Sequence, residues 1–127
     1  GSMKFAREMI DVQKMLEAHG HEIFLPHDTS VYICEPNTVV DGARKIEHNF
    51  IRVHHKKISN GDAILVLNFA KNGIENYIGG NTLMELGFAH VLNKKIFLFN
   101  PIPWMNYTDE IVAVQPIVIN GDMSLIV

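Results

Sequence analysis

The chain has 127 residues and a mass of 14.4 kDa, with 47% hydrophobic and 20% charged residues, the proportions of one globular domain with a real core. A formal net charge of −3 and a pI near 6.1 exclude the electrostatic footprint of a general nucleic-acid binder. No apolar run approaches the roughly 18–20 residues of a membrane span, and no basic-then-apolar opening reads as a leader. The single cysteine, Cys34, rules out an internal disulfide framework and fits a reducing compartment, so a cytoplasmic location is expected.

Residues 4–19 place Phe5, Met9, Val12 and Leu16 at helical spacing, and Gly20 supplies a stop. His21 to Pro26 reads as a short strand ended by proline. Residues 27–41 are turn-rich and read as a long loop of the kind that often binds ligands. A second helix is expected from Gly42 to Ser59, with Ile46, Phe50, Ile51, Val53 and Ile58 on its inner side. Asp62 to Asn68 is a continuous apolar run with polar ends, the pattern of a strand buried on both faces. A polar loop from Lys71 to Asn81 leads to a helix at about 82–92, and Lys94 to Asn100 is a second buried strand. A short helix near 108–114 precedes a last strand at 117–120.

This alternation predicts an α/β fold: a parallel sheet with helices on both faces, three layers, of the flavodoxin-like or Rossmann-like kind. The order has one oddity. The chain opens on a helix where such folds open on a strand that lies inside the sheet. The usual first strand is therefore expected to be missing.

The most informative stretch is Asn76 to His90, where the pair Gly79-Gly80 precedes a helix that follows a buried strand. Backbone N–H groups and a helix dipole then face the ligand-binding edge of the sheet. Glu85 is the one acid between Thr82 and Leu92, placed where a carboxylate can act as nucleophile or base. A purely structural alternative stands beside it. Thr82-x-x-Glu85 has the spacing of a capping box, in which Glu85 returns a hydrogen bond to the helix start. Gly87 costs about 1 kcal/mol relative to alanine inside a helix, which asks for a packing or ligand reason.

The run Asp62 to Asn68, the glycine loop, Glu85-Leu86-Gly87-Phe88-Ala89 and the strand beginning Lys94-Lys95 together resemble the nucleoside 2-deoxyribosyltransferase-like superfamily, which includes deoxynucleoside 5′-monophosphate N-glycosidases. The resemblance covers most of residues 3–122 and is clearest over 62–100. It implies that Glu85 attacks the anomeric carbon of a deoxyribose and forms a covalent sugar–enzyme intermediate, the logic of a retaining glycosidase. Gly79, Gly80, Asn81 and Thr82 would hold the sugar or its 5′ end, and Asn68 would lie near the base. The family takes an acid from the preceding helix, and here that spacing falls on His54, which is also placed to pack on an apolar face.

Family members also open on a strand and a loop with glycine and serine, of which Gly1-Ser2 looks like either the tail or a tag scar that coincides with it. A chain without that strand is expected to form a homo-oligomer, by strand exchange or rearrangement. Asp28 lies at the correct edge for a ligand, though a loop aspartate also forms turns. Trp104, after the fourth expected strand, could stack a base, cover the site or meet a subunit. The seven histidines show no metal-ligand spacing, and neither a metal nor an organic cofactor is expected. The expected partner is a nucleoside or nucleotide, not a nucleic-acid polymer or a membrane. The rival expectation is a non-catalytic nucleotide-binding or sensing module of the same fold.

Overall fold

A computed structural model describes residues 1–26 and 49–127. It divides into two compact units, one of Met3–Lys57 and one of Gly1–Ser2 with Ile58–Val127.

In the first unit a 3-10 turn over Met3–Phe5 leads into α1, Ala6–Ala18. Phe5, Ala6, Met9, Val12 and Leu16 are buried, the face that the spacing predicts. The helix closes with the N–H of His19 on the Leu16 carbonyl, and Gly20 takes φ +90°, the left-handed stop that glycine allows. The expected strand at 21–26 is not formed. Side chains satisfy its carbonyls instead, Gln13 Nε2 donating to Ile23 at 3.4 Å and Lys57 Nζ to Leu25 at 2.7 Å. Among the described residues the segment pairs with no strand. α2 runs over Phe50–Asn60, and the boundary between the units falls within it after Lys57. Phe50 and Ile58 are buried as expected, whereas Ile51 is exposed. Ile46 and Cys34 lie outside the described residues.

The second unit holds a three-stranded parallel sheet of order β1-β2-β3: Ala63–Val66, Lys95–Leu98 and Ile117–Val118. Register pairs Ala63 with Lys95 and Val66 with Leu98, then Phe97 with Ile117 and Leu98 with Val118. Pairing continues past the strands, with Phe99 N–H donating to Val66 at 2.9 Å and Ile119 N–H to Leu98 at 2.9 Å. The fold is α/β, with helices alternating between parallel strands. α3, Gly80–Val91, joins β1 to β2, and α4, Thr108–Ala113, joins β2 to β3.

Ile96 and Leu98 point to one side of β2 and join Ile58, Val66, Ile78, Leu86, Ala89 and Ile111 in a single core. Phe97 points to the opposite side and is buried too, so β2 matches the fully buried strand read from its sequence. β1 departs from that reading. Val66, Leu67 and Asn68 are buried, but Ala63, Ile64 and Leu65 are only half-buried, because β1 is an edge of the described sheet. Among the described residues no helix is long and apolar enough to cross a membrane.

Candidate functional site

Parallel strands send their connections out at one edge, and here two loops leave it, one after β1 and one after β2. Asn68 ties their roots together. Its Nδ2 donates to the carbonyls of Asn100 at 2.9 Å and Pro101 at 3.1 Å, and its Oδ1 accepts from the Asn100 N–H at 2.8 Å. The Asn100 side chain returns a bond to the Asn68 carbonyl at 3.1 Å. Asn68 is fully buried, with both amide hydrogens engaged, so it serves as a clamp between strand ends. Beyond the clamp Phe69 and Phe99 meet edge to face, their centroids 5.2 Å apart.

The loop after β1 folds back on itself. Lys71 and Ile74 exchange backbone hydrogen bonds of 3.0 Å around Asn72 and Gly73, both at positive φ, and Tyr77 N–H donates to Phe69 at 3.0 Å. The Asn72-Gly73 pair is the sequence signal for this turn. Its effect is to turn Lys71 toward Ser2 and Tyr77. Lys71 Nζ donates to Ser2 Oγ at 2.9 Å and lies 5.3 Å from the centroid of the Tyr77 ring. Gly79 packs under the same ring, where an added Cβ would meet Tyr77 at 3.3 Å.

Gly1 completes this edge. A Cβ there would fall 2.7 Å from the Leu67 carbonyl oxygen, so the backbone approaches as closely as only glycine permits. Burial lowers the pKa of the Gly1 amino group, and the charge of the Glu85 carboxylate opposes that shift. The sequence did not single out Lys71 and Tyr77 as site residues. Nothing in their own pattern marks them, since the turn alone brings them in.

Gly79 is the N-cap of α3, at φ −82° and ψ 173°, and it has no side chain with which to cap. The helix therefore begins two residues earlier than its hydrophobic pattern suggests. That displaces the capping box. Thr82 is the third residue of the helix and is buried, while Glu85 is the sixth, beyond reach of the helix start. Glu85 is half-buried in the second turn, on the same side as Asn81, Thr82 and Phe88 by helical spacing. No acid occupies the first turn, so the positive end of the helix dipole and its first N–H groups keep their charge bias. Gly80 and Asn81 are exposed there. Among the described residues no atom lies within 4 Å of where a Gly87 Cβ would stand.

The loop after β2 is bound to the glycine loop. The Tyr107 hydroxyl donates to the carbonyl of Ile78, one residue before Gly79. Burial, and to a lesser degree Tyr77, raises the Tyr107 pKa, which keeps that hydroxyl a donor.

Asn68, Gly79, Gly80, Asn81, Thr82 and Glu85 thus share one unit and one edge of its sheet. His54 belongs to the other unit, where its half-buried ring stacks on Phe50 at a 6.3 Å centroid distance and 10° between planes. Asp28 lies outside the described residues. Among the described residues no group of three or more His, Cys, Asp or Glu could hold a metal ion. Compared with known proteins, the chain matches no family model, no curated protein and no solved structure.

Proposed function

We propose that the chain breaks the N-glycosidic bond of a deoxynucleoside or its 5′-monophosphate, with Glu85 as nucleophile. The observation that carries this is the position of Glu85, a half-buried carboxylate in the second turn of α3. In the reaction a Glu85 oxygen bonds to C1′ as the C1′–N bond breaks, and that bond's electron pair leaves with the base. Water or a second base then attacks C1′ and releases Glu85. The departing base needs a proton, and the resemblance gives that role to His54.

The uncapped start of α3, with Gly79, Gly80, Asn81 and Thr82, supports the sugar end of the substrate, and Lys71 beside Ser2 adds a cation suited to a 5′ phosphate. Asn68 supports the site from beneath by fixing both loops. The same reading carries the finer architecture, a doubly wound three-layer domain whose sheet is completed beyond β1, and assembly into a homo-oligomer.

The test is incubation with each deoxynucleoside and its 5′-monophosphate, following free base by chromatography beside a Glu85→Gln variant. Release that disappears in the variant supports the proposal. Tight binding of nucleotide with no release by the wild-type protein would make the chain a sensing module instead.

A further inference from the structure

The chain holds three Asn-Gly pairs, Asn60-Gly61, Asn72-Gly73 and Asn120-Gly121, and all three asparagines are exposed. In such a pair the glycine nitrogen can attack the asparagine side chain, because glycine has no Cβ to obstruct the approach. The reaction needs that nitrogen to give up its proton and the backbone to bend into a succinimide ring. Both needs depend on how the glycine and its surroundings are held.

There the pairs differ. Gly61 N–H donates to the Ile58 carbonyl at 3.2 Å, where α2 ends. Gly121 N–H donates to the Phe99 carbonyl at 3.1 Å and Asp122 N–H to Ile119 at 2.9 Å, which anchors that turn to the end of β2. Gly121 also lies against the Phe99 ring, where a Cβ would stand 3.6 Å away. Gly73 has neither constraint. Among the described residues its N–H donates to no backbone carbonyl, and nothing lies within 4 Å of where its Cβ would stand. Its turn is closed by the two 3.0 Å bonds between Lys71 and Ile74. A turn held by its own two ends opens locally at less cost than one anchored to a sheet.

We propose that Asn72 is a site of self-modification, where attack by the Gly73 nitrogen converts the side-chain amide to an acid and remakes the turn that carries Lys71. In the first step the Gly73 nitrogen loses its proton to solvent and bonds to Asn72 Cγ. The Cγ–Nδ2 bond breaks, and Nδ2 leaves as ammonia. Water then opens the succinimide. Breaking the new Cγ–N bond gives aspartate. Breaking the original C–N bond gives isoaspartate, whose main chain runs through Cβ and Cγ. Water is the one co-reactant. Either product sets a carboxylate next to Lys71 in sequence, and the longer isoaspartate link cannot keep the two-residue closure between Lys71 and Ile74. Neither step involves Glu85, so the outcome is separate from base release.

The test holds the whole chain at mildly alkaline pH in water enriched in heavy oxygen, with samples over several weeks mapped as peptides by mass. Heavy oxygen should enter at Asn72 several-fold faster than at Asn60 or Asn120. In concentrated urea the three pairs should convert at similar rates, because the differences belong to the fold. A protein isoaspartyl methyltransferase should label the product at position 72. In that fraction the Lys71 and Ile74 N–H groups should exchange with deuterium faster than in fresh protein, with Gly121 unchanged. Asn72→Gln should block conversion at its own position and leave the other two rates as they were. Equal or faster conversion at Asn60 or Asn120 in the folded protein overturns the proposal. So does the absence of label at Asn72, or unchanged exchange at Lys71 and Ile74 in the isoaspartate fraction.

Discussion

Two connections leave the same edge of the sheet, and they are built to opposite ends. The one after β2 is tied down: Asn68 holds its root, Thr108 its middle and Tyr107 its end, and α4 carries Asp109 and Glu110 in its first turn to balance the dipole. The one after β1 ends at a glycine cap with no acid in the first turn of α3, and its turn brings Lys71 to Ser2 and to the ring of Tyr77. In the first, polar groups are matched to one another within the chain. In the second, the first turn of the helix has no acid to balance its dipole. The difference separates a connection braced by its own side chains from one whose helix start is left with its charge bias.

The comparison can be broken most sharply at Glu85. Glu85→Gln should reduce base release by about 1000-fold or more while leaving the urea midpoint within experimental error. If the variant unfolds instead, the carboxylate has a structural role. Asn68→Ala should do the opposite. It leaves the Asn100 N–H and two carbonyls without their partner and should cost about 2–4 kcal/mol in a urea melt. A loss under 1 kcal/mol would mean that the clamp does not hold the two loops.

Tyr107→Phe should cost about 1–2 kcal/mol, since it strips the buried Ile78 carbonyl of its donor. Burial of the same side chain, and to a lesser degree Tyr77, gives a pH signature. The folded state raises the Tyr107 pKa above its usual 10, so folding binds the proton more tightly. Stability is then complete below the unfolded pKa and falls as pH rises through the alkaline range. Tyr107→Phe should flatten that fall, which thermal melts across alkaline pH would show.

The smallest effect is expected at Gly87. Among the described residues nothing lies within 4 Å of where a Cβ would stand, and Gly87→Ala should stabilise the chain by about 0.5–1 kcal/mol through helix propensity. Unchanged stability with impaired turnover would show that a bound substrate occupies that space.

The sequence was informative wherever a periodic pattern met a partner within the chain. α1, with its buried face and its Gly20 stop, and the parallel pairing of β1 with β2 follow from spacing and alternation. It misled at His21 to Pro26, where strand-like residues have side-chain hydrogen bonds to their carbonyls in place of a neighbouring strand. It also misled at Ile51, because an apolar residue near a buried face is still exposed when the helix turns it outward. Within the site, Glu85 and the glycine pair were legible, whereas the capping alternative could be resolved only by the true start of α3 at Gly80. Asn68 was visible as a polar residue ending a strand, but not its role, because hydrogen bonds across 32 positions of chain leave no local mark. Lys71 and Tyr77 depend on the Asn72-Gly73 turn in the same way.

The most direct test of the central claim is a peptide mass map of protein quenched in mid-turnover with a deoxynucleoside or its 5′-monophosphate. The account predicts a deoxyribosyl or phosphodeoxyribosyl adduct on the peptide containing Glu85, absent from Glu85→Gln. Base release that persists in the variant, with no adduct on that peptide, would contradict it.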